Sequence, residues 1–401
     1  MCVFREELFW WSPLVYKGCG GLGRAITKET EFIYMNNFWK KLHKPFFCLA
    51  PMADVTDAAF RRIICKYGKP DVFWTEFVSA DGLASKGREI LKDNLIFTKK
   101  EKPIVAQLFS SNPEKMRQAA KYVSSLGFDG IDINMGCPDK AIEKQGAGAA
   151  MMKDKEKAGR IIQAVKDGIK DSGKKVSISV KTRIGYNKNQ IEDWIPFLLS
   201  QNIDALTVHA RTRKEMSLVP ANWDYIKRVV EIRDEMKVKT KIIGNGDVKD
   251  IKEGKRLAKE TGCDGIMIGR AVFGNPWIFN SLRSGRISKS TNISLLGNFS
   301  ARASRPVQVF SQYVPSLQEK LKIMLEHTKL FEKILGKHNP IRTNDRKRPT
   351  SNGARNFAVM KKHFKAYVNG FDGAKELRVD LMKTKNAKEV EKVVKNFLKK
   401  K

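Results

Sequence analysis

The chain has no run of 18 or more apolar residues, which excludes a membrane-spanning helix. It is short of acidic residues: 43 Asp and Glu stand against 76 Lys and Arg, a formal net charge of +33. A small-molecule enzyme does not need that excess, whereas binding to a polyanion gains from it. The cysteines (Cys2, Cys19, Cys48, Cys65, Cys137 and Cys263) have neither metal-ligand nor disulfide-framework spacing, which argues against a zinc module or a disulfide scaffold. They read as reduced cytosolic thiols, so a cytoplasmic protein without a metal centre is expected. No G-x-G-x-x-G follows the first strand-like run, which argues against an open dinucleotide-binding sheet.

What is present is size and pattern. The 401 residues, 42% of them hydrophobic, suffice for one large and one small domain. Residues 1–34 show no clear period and no ordered signal-peptide features. They are expected to be an extension upstream of a protein that starts at Met35. Eight β-rich runs follow: Phe46–Ala53, Val72–Val78, Pro103–Phe109, Gly130–Gly136, Val176–Arg183, Ala205–Arg211, Lys241–Asp247 and Gly265–Arg270. Most are continuously apolar, as strands buried on both faces require. Helical patterns lie between most of them, at Thr56–Tyr67, Pro113–Leu126, Asp154–Ile169, Trp223–Met236 and Val248–Thr261. Count and length predict a (β/α)8 TIM barrel over residues 35–280.

Beyond it, Ser281–Ser316 holds nine serines, five basic residues and no acidic one, the composition of a flexible linker or insertion. Residues 317–401 return to a helical pattern, interrupted by a mobile loop expected at 336–353. Residues 316–401 carry 23 Lys and Arg against 9 Asp and Glu, which suits polyanion docking; a plain solvated lysine face is the alternative.

Chemistry-bearing residues gather at strand ends. Cys137 sits on a Gly-Cys-Pro turn after the fourth run, where barrel enzymes keep their reactive groups. It could be a nucleophile, a proton donor or a structural thiol; a donor needs a thiol that stays protonated near neutral pH. Lys181 and Arg183 end the fifth run, and His209 and Arg211 repeat that spacing on the sixth. A lysine there should have an anionic partner. Gly244-Asn245-Gly246-Asp247 and Gly269-Arg270 finish the last two runs, where barrels commonly build a phosphate cup from backbone N–H groups. Gln107 could offer its amide to a heterocycle or make a structural hydrogen bond.

With Ala50-Pro51-Met52-Ala53, Asn134-Met135-Gly136-Cys137-Pro138, Gln145-Gly146-Ala147-Gly148, Val180-Lys181-Thr182-Arg183, Val208-His209-Ala210-Arg211, Gly244-Asn245-Gly246-Asp247 and Gly269-Arg270 in order, residues from about Pro45 to Asn280 resemble the catalytic domain of tRNA-dihydrouridine synthases. Lys362-His363-Phe364, Tyr367 and Gly370-Phe371 extend the resemblance to that family's tRNA-binding helical domain. The resemblance implies an FMN-dependent oxidoreductase, expected to be monomeric, that reduces one uridine of tRNA with NADPH as electron donor. By matching motifs, Pro51, Met52 and Ala53 would line the flavin, and Gln107, Lys181 and His209 would contact or flank it. Asn245, Gly246, Asp247, Gly269 and Arg270 would hold its phosphate. Cys137 would be the general acid and Asn134 would orient the uracil; Arg183 and Arg211 would touch RNA or phosphate. Ala210 stands where the family usually has glycine, the loop Lys214–Pro220 is not a close match, and the two expected mobile stretches have no recognised counterpart. A flavin barrel acting on a free small molecule and an RNA-binding protein with a degenerate barrel are the rival readings. The first leaves the basic tail unexplained, the second the intact Cys137, Lys181 and His209.

Overall fold

The structure, a computed structural model, describes residues 37–280, 313–336 and 355–400. The expected extension and its Met35 start, and most of the stretches 281–316 and 336–353, lie outside the described residues. The apolar runs become strands β1 (Phe46–Leu49), β2 (Phe73–Ser79), β3 (Ile104–Phe109), β4 (Gly130–Met135), β5 (Ser177–Arg183), β6 (Ala205–His209), β7 (Lys241–Asn245) and β8 (Gly265–Ile268). They form one parallel sheet in the order β1-β8-β7-β6-β5-β4-β3-β2. A parallel bridge from Cys48 to Val72 joins the two ends, with the Leu49 N–H donating to the Val72 carbonyl at 3.1 Å. The result is a (β/α)8 barrel.

Five strands end earlier than their runs. Ala50–Ala53, Gly136, Ala210-Arg211, Gly246-Asp247 and Gly269-Arg270 all lie just past a strand, Arg270 opening a short 3-10 turn. The backbone leaves the extended region there: Asp54 and Asp247 take φ of 55° and 51°, and Gly246 takes 137°, which a side chain would disfavour. Ladder pairing stops, and these segments are left at the barrel mouth.

The helices start where side chains can accept the orphan N–H groups of a first turn. Helix α1 (Ala58–Tyr67) is capped by Asp57, α2 (Pro113–Ser125) by Asn112 and α3 (Lys155–Ser172) by Asp154. Helix α4 (Ile191–Ser200) contains Pro196, α5 (Asp224–Glu235) follows β6, and α6 (Ile251–Thr261) is capped by Asp250. After β2 the chain makes short helical pieces, Ala80–Leu83 and Arg88–Leu91, followed by 3-10 turns at Lys92–Leu95 and Lys99–Glu101. After the barrel come α7 (Leu317–Leu335), with a Ser316–Glu319 capping box, then α8 (Met360–Tyr367), α9 (Ala374–Lys383) and α10 (Ala387–Lys399). Their apolar faces do not close on themselves. Leu321, Met324, Phe331, Met360, Phe364 and Val390 share one buried cluster with Ala59 and Ile63 of α1. The helical region is therefore anchored to the flank of the first βα unit.

Candidate active site

Cys137 is half-buried on the loop leaving β4. One amide shapes its turn: the Asn134 Oδ1 accepts from the Gly136 N–H at 3.1 Å and the Cys137 N–H at 2.9 Å. From the other side the Ala149 N–H donates to the Cys137 carbonyl at 2.9 Å. Gly148 makes that approach possible. It has φ of 61°, and a Cβ there would lie 2.8 Å from the Cys137 carbonyl oxygen. Burial pushes the Cys137 thiol up from its ordinary value, so the group holds its proton at neutral pH.

Asn134 is itself held. Its Nδ2 donates to Gln107 Oε1 at 3.1 Å, and Gln107 Nε2 donates to Asp132 at 2.6 Å. Ser179 Oγ donates to the other Asp132 oxygen at 2.6 Å. An acceptor-only carboxylate fixes which end of the Gln107 amide faces it, and so fixes which end faces Asn134. Burial raises Asp132 to about 6, against the hydrogen bonds from Gln107 and Ser179. Three strands, β3, β4 and β5, thus carry one polar chain that ends at the Cys137 turn. Gln107 is not a free amide: both ends of its side chain are bonded, and it is the middle of this chain.

Across the mouth lies a cluster of cations. Lys181 Nζ donates to Asn245 Oδ1 at 3.2 Å, a neutral partner, and Asn245 in turn donates to the Met267 carbonyl at 2.9 Å. Burial, and then Arg183, lower Lys181 to about 8. Burial and the surrounding Arg183, Lys181, Arg211 and Arg270 hold His209 well below its usual value, so its ring is neutral at pH 7. Arg211 contacts the His209 ring at 3.2 Å and pairs with Asp247, which also pairs with Arg270. Asp247 further accepts the Ala221 N–H at 2.9 Å. Gly246 fits closely between these parts, because a Cβ there would lie 2.7 Å from the Ala221 Cβ.

Arg183 and Arg211, expected to touch RNA or phosphate, are buried and donate to backbone carbonyls. Arg183 donates to the carbonyls of Gly136 (2.9 Å), Thr212 (3.0 Å) and Met216 (3.0 Å), bridging the Cys137 turn to the loop after β6. Arg211 donates to the Val219 carbonyl at 2.6 Å in addition to its Asp247 pair. At the β1 end, Met52 and Thr56 make a tight turn, with the Met52 N–H donating to Thr56 Oγ1 at 2.9 Å. The Asp54 N–H then donates to Glu76 of β2 at 2.6 Å. Pro51, Met52 and Ala53 lie along this turn, and Met52 Sδ is among the nearest atoms to a Cβ built on Gly269, at 3.7 Å. The candidate residues of β1, β7 and β8 are thereby brought to one side of the mouth.

Asp132, Ser179, Glu76 and Arg355 belong to the same constellation and went unremarked in the sequence. Asp132 stood inside the strand-like run Gly130–Gly136, and a charged residue in an apolar run was the available signal. Nothing local marks Arg355.

Comparison with known proteins agrees with this geometry. The family model described as Dihydrouridine synthase (Dus) matches residues 48–352. A probable tRNA-dihydrouridine synthase of Staphylococcus aureus (strain COL) is 35% identical over 363 residues, covering 90% of this chain and 95% of its own. A probable tRNA-dihydrouridine synthase of Staphylococcus epidermidis (strain ATCC 35984) is 36% identical, covering 90% of this chain and 96% of its own. A probable tRNA-dihydrouridine synthase 2 of Bacillus subtilis (strain 168) is 35% identical with the same coverage. The chain belongs to the dihydrouridine synthase family, and it is an oxidoreductase that acts on tRNA.

Proposed function

We propose that this protein reduces one uridine of tRNA to 5,6-dihydrouridine, with FMN as resident cofactor, NADPH as electron source and Cys137 as general acid. The observation that carries the reading is a thiol held on a rigid turn by Asn134, facing a mouth where the hydrogen-bond partner of Lys181 is a neutral amide. Lys181 meets a neutral amide and is lowered by burial and then by Arg183, so an anionic ligand would be stabilised there. That need fits FMN. Asn245, Gly246, Asp247, Gly269 and Arg270 would hold its phosphate, and Pro51, Met52 and Ala53 would line its ring. Gln107, Lys181 and His209 would contact or flank the ring. Bound FMN would supply hydride to carbon 6 of the uracil.

The chain's own part is positioning and proton delivery. Cys137 holds the proton destined for carbon 5, and its raised pKa keeps the thiol loaded at neutral pH. Asn134 uses one amide N–H on Gln107 and has a second for a uracil carbonyl. Arg183 and Arg211 act by holding the loops around the base rather than by reaching the phosphate backbone. Residues 37–280 form the catalytic part, and the basic helices within 317–400 dock the tRNA in the cytoplasm. The target base leaves its stack to enter the mouth.

Anaerobic spectroscopy tests this. The purified protein should show a flavin spectrum that NADPH bleaches and that unmodified tRNA restores. Cys137→Ala should leave the bleaching intact and slow the restoration by about 10²-fold or more. A protein that stays colourless after incubation with FMN, or a Cys137→Ala variant with unchanged turnover, would refute the reading.

A further inference from the structure

We propose that Arg355, which precedes α8 in the helical region, is a positioning residue for the β1–α1 loop at the barrel mouth and acts on it through Glu76. This rests on the reading that Pro51–Ala53 line the flavin. Arg355 makes a bidentate pair with Glu76, Nη1 to Oε1 at 3.0 Å and Nη2 to Oε2 at 2.6 Å. Its Nη2 also donates to Asn94 Oδ1 at 3.0 Å, and Asp57, the α1 cap, lies 3.9 Å away. The same Glu76 Oε1 accepts the Asp54 N–H at 2.6 Å. Asp54 holds φ of 55°, the left-handed region that few non-glycine residues adopt, Asp more readily than most.

The link is buried and geometrically defined. Glu76 and Asp57 are 2% and 1% exposed; Arg355 is the cation paired with Glu76, while Asp57 also has Arg61 and the Phe60 N–H to compensate it. Without Arg355, Glu76 would protonate or turn, and the acceptor for Asp54 would be disturbed. The Arg355 main chain is fixed independently, its N–H donating to the Leu335 carbonyl at 2.9 Å. A second contact falls on the same turn: Lys362 of α8 lies 3.7 Å from Asp54 Oδ2. That pair is solvent-exposed and worth little alone. Two residues of the helical region therefore converge on the one loop that runs from β1 past the mouth. The region expected to dock tRNA also sets the shape of the candidate flavin site.

The rival account is that Arg355 only fastens the helices to the barrel. Flavin affinity separates the two. FMN dissociation constants, measured by flavin fluorescence on the flavin-stripped full-length protein, should weaken on the order of tenfold in Arg355→Ala and in Glu76→Gln, as when a residue that orients a ligand-holding group is removed. Lys362→Ala should change little. The double variant Arg355→Ala/Glu76→Gln should be no worse than either single one, because both break one link. Arg355→Lys, which keeps the charge but loses the fork, should fall between wild type and Arg355→Ala. If Arg355→Ala fails to fold, Glu76→Gln and Arg355→Lys carry the same test. Unchanged FMN affinity in the folded variants, with tRNA binding or thermal stability reduced, would overturn the role. A wild-type protein that binds no FMN would instead refute the functional reading beneath it.

Discussion

At the residue scale, the thiol of Cys137 is the most exacting element of the mechanism. Burial raises it above the ordinary value of 9.0, so the thiol is the dominant form at neutral pH and thiolate appears only as the pH climbs past that value. Iodoacetamide labelling of Cys137, read by mass spectrometry of its peptide in flavin-free protein, should therefore rise with a midpoint above pH 9.0. A midpoint near 7 would mark a nucleophile and sink the general-acid role. Gly148 is a second test at this scale. Gly148→Ala places a Cβ 2.8 Å from the Cys137 carbonyl at φ of 61°, so the turn must shift. Dihydrouridine formation should drop by about 10²-fold, the cost of a misplaced reacting group, while NADPH still bleaches the flavin. Loss of bleaching as well would show that the damage extends beyond the turn. The reactive cysteine was legible because a Gly-Cys-Pro turn after an apolar run is a local signal. Asp132 was not, since its partners Gln107 and Ser179 lie 25 and 47 residues away and only the barrel brings them together.

At the scale of elements, strand ends and their loops work as linked pieces. Arg183 ties the end of β5 to the Gly136 carbonyl before the cysteine and to two carbonyls of the loop after β6. Three acceptors in different directions suit a planar guanidinium and not an ammonium. Arg183→Lys should lower kcat for dihydrouridine formation on the order of tenfold to a hundredfold, with FMN affinity within about twofold of wild type. A parallel loss of FMN binding would move Arg183 from loop support to the cofactor site. The strands were readable because most of their residues are buried on both faces, and few alternatives satisfy such continuous apolar runs. The strand ends were misread by one to four residues, as at Ala50–Ala53. There the composition stays apolar while the chain turns, the Val55 and Thr56 N–H groups both donating to the Met52 carbonyl, and composition does not report a turn.

For the whole molecule, the decisive feature is the shared core between α1 and the helical region. His327 of α7 and His363 of α8 lie in it with Phe60, the two imidazoles 4.6 Å apart. Among the described residues, none of their ring nitrogens has a hydrogen-bond partner. Burial lowers His327 to about 3 from 6.5, and it holds His363 well below its usual value too. The unfolded chain thus takes up protons below pH 6.5 that the folded one refuses, and stability falls as pH falls, by up to about 1.4 kcal/mol per unit for each histidine. Thermal unfolding followed by circular dichroism should show Tm dropping from pH 7 to 5, and His327→Leu should flatten that slope. An unchanged slope would remove His327 as its cause.

The sequence by itself determined the barrel, the strand-end motifs, the basic tail and the family, because apolar period, turn chemistry and net charge are properties of consecutive residues. Only the tertiary structure decided that Arg183 and Arg211 point inward and that Gln107 belongs to a chain ending at Cys137. It alone brought Arg355 to Glu76, 279 residues away in sequence. Such pairings are set by where strands close and helices pack, and burial then makes each unmatched polar group too costly to leave alone.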